Sequence, residues 1–218
     1  MTGPITATSL TADRTDSCSS IESTASVAPS ANKLILVTVG DTITSGTAPT
    51  VTLTGNGLTW VEVTTTVHSD DTRLRATLFR SMGAAPSSAP LVMTFSQNPL
   101  ACSWSVVEFG NVDSSGTDGS GAIAQSAVGL TAGSQASLAV TLGPFASTNN
   151  AVFGVLLSES SGPIDAGLGF AEIHEVQFGA VLTNSIQTQW RASPASSVDW
   201  SWSSTGLAGG VALEIARD

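Results

Sequence analysis

The stretch TRLRATLF, residues 72–79, alternates apolar and polar side chains with a period of two. Leu74, Ala76 and Leu78 fall on one face of an extended chain, and Arg73 and Arg75 fall on the other. The same alternation recurs in SLAVTL (137–142), VDWSWS (198–203) and VALEI (211–215), and no segment of helical length has a period of 3.6. The pattern predicts half-buried antiparallel β-strands.

Turn-forming residues separate these stretches. Clusters rich in Gly, Pro, Asn and Ser include TSGTAP, TGNG, GAAPSSAP, SQNP, DSSGTDGSG and SESSGP. Short strands joined by such turns are typical of sandwiches and barrels. We therefore predict an all-β fold, an antiparallel, jelly-roll-like β-sandwich of about ten strands in two packed sheets.

Five sequence blocks recur in the same order in the two halves of the chain. They pair ANKLILVTVG with TNNAVFGVLL, GLTWVEV with GLGFAEI, ATLFRS with QTQWRAS, LVMTFS with VDWSWS, and VVEFG with ALEIA. The repeat predicts two related halves, about 31–112 and 149–217, within a single sandwich domain of residues 16–218. Residues 1–15 lack an apolar period and are predicted to form a flexible N-terminal arm that binds a partner.

The charge balance disfavours two classes of partner. The 218 residues include 17 acidic and 7 basic side chains, which gives a net charge of -10, and Lys33 is the only lysine. Nucleic-acid binding and binding to an anionic membrane both need clustered basic residues, so neither is expected. No run of 18 apolar residues and no secretion signal are found, so the product is expected in the cytosol at synthesis.

Cys18 and Cys102 are the only cysteines. Two cysteines cannot build the disulfide framework of a small secreted scaffold, although they could form one bond if the fold brings them together. Because synthesis in the cytosol favours reduced cysteine, we expect two free thiols.

Candidate catalytic residues are few. His68 and His174 lie in no metal-ligand spacing, and His68 is expected in a hairpin loop beside Ser69, Asp70 and Asp71. Two repeated pairs, Glu62 with Glu172 and Glu108 with Glu214, are candidates for the paired carboxylates of a glycosidase. Each lies opposite apolar neighbours, which is the pattern of a solvent-facing residue. We predict no catalytic residues and no enzyme.

Candidate binding residues have structural explanations too. Asp113 and Asp118, in the loop NVDSSGTDGSG, could supply oxygen ligands to Ca²⁺, but the loop lacks the ligand density of an EF-hand. The Gly-rich segments GLTAG, GPIDAGLG and GLAGG lack the lysine of a phosphate loop and indicate turns. The five tryptophans could form a sugar-stacking platform but are better explained as core residues: Trp60, Trp104, Trp190, Trp200 and Trp202. No cofactor and no metal site are predicted.

The layout of ANKLILVTV, GLTWVEV, RLRATLF, the passage from LVMTFS to WSVVEFG, and the closing GGVALEIARD resembles the β-sandwich or jelly-roll structural proteins of tailed bacteriophage virions. The resemblance covers roughly residues 20–218 and is one of layout and composition. It is closest to capsid decoration proteins and tail-associated modules.

The resemblance implies a non-enzymatic virion protein, a capsid decoration (cement) protein that binds the outer capsid surface in many copies and stabilises it. It implies assembly in the host cytoplasm, partners such as the major capsid protein or other virion proteins, and a homo-oligomer, for which a trimer is one form. The alternative is a tail-associated or receptor-binding or carbohydrate-binding β-sandwich module.

Overall fold

The structure is a computed structural model, and it describes residues 3–160, 162–180 and 183–218. These residues form sixteen strands and no helix: β1 (Thr6–Thr15), β2 (Ile21–Ser23), β3 (Leu34–Thr42), β4 (Val51–Gly55), β5 (Val61–Val67), β6 (Leu74–Ser81), β7 (Leu91–Phe95), β8 (Ala101–Gly110), β9 (Ile123–Leu130), β10 (Gln135–Thr141), β11 (Ala151–Ser158), β12 (Ile164–Ala166), β13 (Ala171–Phe178), β14 (Asn184–Arg191), β15 (Ser197–Gly206) and β16 (Ala208–Ile215). Among them is no helix long and apolar enough to cross a membrane. The all-β prediction is confirmed.

The strands form four antiparallel sheets. Sheet A has the order β1-β8-β3-β6-β5, sheet B β2-β7-β4, sheet C β13-β14-β11-β16-β9 and sheet D β10-β15-β12. In each half, successive strands alternate between a five-stranded and a three-stranded sheet, as in a jelly roll, except that β5 and β6, and likewise β13 and β14, are neighbours in the five-stranded sheet. The sequence-based estimate of about ten strands in two sheets is too low, because each half is itself a complete two-sheet sandwich.

The four sheets stack in the order B, A, C, D. On β3, Leu34 and Leu36 belong to the core between sheets A and C, whereas Ile35 and Val37 belong to the core between sheets A and B. A third core lies between sheets C and D. Because sheets A and C are covered on both faces, their central strands are buried at nearly every residue, which explains the continuous apolar run of LILV.

The two halves have the same topology. Strands β1–β8 and β9–β16 follow identical orders within their sheets, and the five repeated sequence blocks fall on β3 and β11, β5 and β13, β6 and β14, β7 and β15, and β8 and β16. Between sheets A and C, β1 contacts β13 and β5 contacts β9. These two contacts are equivalent, so the halves are related by an approximate two-fold rotation.

The predicted N-terminal arm is wrong. Residues Thr6–Thr15 form β1, which pairs along its length with β8, from Thr6 opposite Gly110 to Thr15 opposite Cys102. The following loop also contacts the second half, where Asp16 Oδ1 accepts a hydrogen bond of 2.7 Å from the backbone N–H of Gly179. The Ser and Thr residues of β1 conceal the strand in the sequence because this edge strand is only partly buried. The halves therefore begin earlier than the repeat indicated.

The two sandwich cores are filled from opposite sheets. In the first half, the indole of Trp104 comes from sheet A and Met93 faces it from sheet B. In the second half, glycine occupies the position of Trp104, at Gly210, and Trp200 replaces Met93. A Cβ on Gly210 would lie 3.3 Å from Cζ3 of Trp200, so the indole fills the space that the glycine leaves. The indole of the first core thus comes from the five-stranded sheet, and that of Trp200 in the second core comes from the three-stranded sheet.

Candidate functional site

The four repeated glutamates do not share one environment. Glu62 on β5 and Glu172 on β13 are exposed near the starts of two edge strands that belong to different sheets. Glu108 is half-buried, and its Oε2 accepts a hydrogen bond of 2.6 Å from the backbone N–H of Ser30. The prediction that these residues face solvent is confirmed for Glu62 and Glu172.

The same prediction is wrong for Glu214. This carboxylate is buried, because β16 lies between β11 and β9 in sheet C with both faces covered. Its Oε1 accepts hydrogen bonds from the backbone N–H of Ala146 (3.1 Å) and from Nδ2 of Asn150 (2.5 Å), and its Oε2 accepts one from Nε2 of Gln125 (2.5 Å). Both oxygens are thus used to hold the loop before β11 and the edge strand β9 against β16.

His68 lies in the loop between β5 and β6, as predicted, but it is buried. The backbone N–H of Asp70 donates to its Nδ1 at 3.1 Å, and its Nε2 lies 2.9 Å from the carbonyl oxygen of Thr131. Because Nδ1 is the acceptor, Nε2 carries the hydrogen and donates to that carbonyl. The ring therefore joins the β5–β6 loop of the first half to the end of β9 in the second.

His174 lies on β13, on the other side of the molecule from His68. Burial lowers the pKa of its imidazole, and the nearby Asp13 of β1 acts in the opposite direction. Its Nδ1 is buried and has no hydrogen-bond partner within the described ranges. The two histidines therefore take part in separate contacts between the halves and do not form a common site.

The loop between the halves is organised by turns. Oδ1 of Asp113 accepts a hydrogen bond of 2.7 Å from the backbone N–H of Ser115, which lowers the pKa of this carboxyl. The backbone carbonyl of Asp118, whose φ is 50°, accepts a hydrogen bond of 2.6 Å from Nη1 of Arg80. Of the two calcium candidates, Asp113 therefore uses its carboxylate to close a turn, and Asp118 is held through its main-chain carbonyl.

The tryptophans line the cores. Trp104, Trp200 and Trp202 are buried, while Trp60 and Trp190 are half-buried against the cores of the first half and of the central interface. The indole N–H of Trp200 donates to Oε1 of Gln187 at 2.8 Å, and that of Trp60 donates to the carbonyl oxygen of Gly55 at 3.2 Å. The five rings are distributed over three cores and do not form one exposed stacking platform.

The cysteines form a disulfide, which corrects the expectation of two free thiols. Cys18 and Cys102 have Cα atoms 5.9 Å apart, a separation typical of disulfides. The bond attaches the segment after β1 to the start of β8, in the core between sheets A and B. The sequence does not show this pairing, because the Ser and Thr residues of β1 give no apolar pattern that marks it as the neighbour of β8.

Beside the disulfide lies a buried carboxyl group that sequence analysis missed. Asp41, on β3, is opposite Cys102 on β8 and Arg75 on β6. Neither of its carboxyl oxygens has a hydrogen-bond partner in the described part of the chain. Burial raises the pKa of Asp41 well above its ordinary value, against the opposing effect of Arg75. Its position at the end of the LILVTV run gave no sign that the strand remains covered there.

A small cavity lies at the seam between the halves. Its volume is about 10 Å³, and Thr66, His68, Leu74, Leu157, Leu207, Ala208 and Gly209 line it. A cavity of this size holds about one water molecule and has no room for an organic ligand.

An ion-pair network joins loops of the two halves. Nε of Arg73 donates to both carboxylate oxygens of Asp71 at 2.8 Å, which lowers the pKa of Asp71 to about 2. Arg73 Nη2 also lies 3.6 Å from Oε1 of Glu159, whose pKa is raised by burial and by the neighbouring Asp71. The network holds the β5–β6 loop to the loop that follows β11.

Over residues 3–160, 162–180 and 183–218, no group of three or more His, Cys, Asp or Glu side chains is arranged to hold a metal ion. Most of the polar residues that the sequence singled out are engaged in internal contacts. No protein-family model, no curated protein and no solved structure matches the chain.

Proposed function

We propose that the chain is a non-enzymatic structural protein of a bacteriophage virion, a decoration protein that binds the outer surface of the capsid in many copies and stabilises the shell. The observation that carries this proposal is the fold: two jelly-roll-like sandwiches packed through their five-stranded sheets. Double-sheet jelly rolls are a recurring architecture of viral capsid proteins.

The internal bonding supports a structural role. Both oxygens of Glu214, both ring nitrogens of His68 and the indole N–H of Trp200 are engaged within the protein. These groups position loops and strands. A protein that strengthens a shell by burying surface against several subunits at once needs this rigidity and needs no catalytic centre.

The disulfide is a second supporting feature. Disulfides persist in oxidising surroundings, which include the surface of a virion outside its host, and are rare in proteins that remain in a reducing cytosol. A chain that carries Cys18–Cys102 inside a core is suited to a particle that must survive after release.

The test is quantitative mass spectrometry of purified particles of the virus that encodes the chain. We expect a copy number comparable with that of the major capsid protein, and immunogold labelling on the head. Particles that lack the chain should release their DNA at a lower temperature, and added purified protein should restore the original temperature. Absence from particles would overturn the proposal, and labelling confined to the tail would favour the tail-associated alternative.

A further inference from the structure

The second half carries an unusually neutral stretch of chain. Residues 119–158 contain no charged side chain, although the protein has 24 Asp, Glu, Lys and Arg residues in total. This segment builds β9 and β10, which are edge strands of sheets C and D. The side of the second sandwich where these two sheets end is therefore formed by uncharged strands.

The equivalent side of the first half is different. Its edge strands β1 and β2 carry Asp13, Arg14 and Glu22, and Asp16 lies between them. β1 also has a bulge between Ser9 and Thr11. Charges and bulges on an edge strand prevent another strand from pairing with it. The duplicated halves thus share a fold but differ in this protection.

The other two edges of the five-stranded sheets are protected as well. β5 carries Glu62 and has a bulge between Glu62 and Thr64. β13 carries Glu172, His174 and Glu175 and has a bulge between Glu172 and His174. Among the four outer strands of sheets A and C, β9 alone has no charge.

β9 also exposes apolar side chains. Val128 is 46% exposed and Leu130 is 39% exposed, and both lie on the face of sheet C that is turned toward sheet A. The only shift in the pairing of β9 with β16 lies at its start, between Ile123 and Gln125, so that Gln125–Leu130 is regular. A regular, uncharged edge with exposed apolar residues is the kind of strand to which another strand adds.

We propose that β9 pairs antiparallel with β9 of a second copy of this chain, so that two copies form a two-fold symmetric dimer with a continuous ten-stranded sheet C. In an isologous contact each copy presents the same strand, which matches in length and in its alternation of exposed residues. Two copies that each carry a net charge of -10 repel one another, and the uncharged strands β9 and β10 add no charge of their own to that repulsion where they meet.

The size of the contact suits a concentration-dependent dimer. Pairing centred on Ala127 keeps each face of the sheet continuous and aligns Ala124–Leu130, seven residues that extend about 24 Å. Two stacked sheets with their side chains are about 20 Å thick, so each copy contributes about 480 Å². The total of about 1,000 Å² lies below the standard range, which begins near 1,200 Å², and interfaces of this size are typical of weak or transient association. The proposal does not depend on the virion role proposed above.

Sedimentation velocity of the full chain from about 5 to 200 µM tests the proposal. The mass should rise with concentration from 22.0 kDa toward twice that value. Val128→Lys should raise the dimer Kd at least tenfold, because it places two like charges across the two-fold axis. The matched control is Thr8→Lys on β1, an exposed position on the equivalent edge of the first half, which should leave the Kd unchanged.

Ala139→Lys is the second variant, on the exposed face of β10, and should weaken the dimer even if Val128→Lys lowers the melting temperature. A mass of 22.0 kDa at every concentration would overturn the proposal. So would a trimer, which an isologous strand pair cannot form, or a dimer that neither Val128→Lys nor Ala139→Lys weakens.

Discussion

Gly154→Ala tests whether the second core depends on the exchange of large and small residues between its sheets. The added Cβ would lie 2.5 Å from Cγ1 of Val198 and 2.7 Å from Cζ2 of Trp200, distances that real Cβ atoms do not tolerate. Overpacking of this kind costs about 1–3 kcal/mol. For a chain of this length the melting temperature should fall by about 2–4 °C for each kcal/mol.

A double-mutant cycle isolates the packing contribution. Trp200→Met introduces the smaller residue found at the equivalent position of the first half and should by itself destabilise the protein by about 2–4 kcal/mol, because it leaves a cavity. In the double variant the Cβ introduced by Gly154→Ala occupies part of that cavity. The combined loss should therefore be smaller than the sum of the single losses by at least about 1 kcal/mol.

Urea unfolding at 25 °C, followed by tryptophan fluorescence and circular dichroism, measures all three variants. Gly3→Ala is the matched control, since its added Cβ would be 3.4 Å from Nδ2 of Asn111, which is an ordinary contact. The free energy of unfolding of this variant should equal that of wild type. Losses that add to within about 0.5 kcal/mol would show that Gly154 and Trp200 are independent and would refute the complementary packing.

Three other outcomes are expected. Burial raises the pKa of Asp41, so the stability that its bound proton provides is complete below the unfolded pKa of about 4 and is lost as the pH rises through the folded pKa. In urea titrations Asp41→Asn should therefore match wild type at pH 3 and be about 1–3 kcal/mol more stable at pH 8. Equal stability of the two proteins at pH 8 would contradict this. Alkylation of unreduced, unfolded protein should label neither cysteine, and two labelled cysteines in mass spectrometry would exclude the bond. Replacing both Cys18 and Cys102 by Ser should lower the free energy of unfolding by about 2–5 kcal/mol. Deleting residues 1–15 removes β1, the outer neighbour of β8, so the product should be insoluble or lack a cooperative thermal transition by circular dichroism. A melting temperature within about 2 °C of wild type would mean that β1 is dispensable.

The sequence predicts some strands well and others poorly. On β15, Val198, Trp200 and Trp202 alternate with exposed Asp199 and Ser201, because one face of sheet D meets solvent. On β16 the same period-two pattern is misleading, since both faces are covered and Glu214 is buried with its own hydrogen-bond partners. Alternation in a single strand cannot reveal a second covering layer that lies elsewhere in the chain.

The contacts of the candidate site residues also depend on parts of the chain that are distant in sequence. Local spacing placed His68 in a loop, but its contact with Thr131 joins residues 63 positions apart and depends on the packing of one half against the other. The bond between Cys18 and Cys102 likewise depends on recognising β1, whose residues are mainly Ser and Thr. Chemistry that depends on long-range pairing could not be predicted from residue patterns alone.

The order of strands in sheet A also affects synthesis on the ribosome. β1 leaves the ribosome before its partner β8, which ends at Gly110, so the first sandwich cannot close until Gly110 has been made. At that moment the face of sheet A that carries Leu36, Leu78 and Phe109 has no covering layer, since sheet C is not yet translated. The strands of sheet C are complete only at Ile215, about 100 residues later, and synthesis at about 5–20 residues per second takes roughly 5–20 s. During that interval an apolar surface is open to chaperones and to other nascent chains, which makes this stage prone to aggregation.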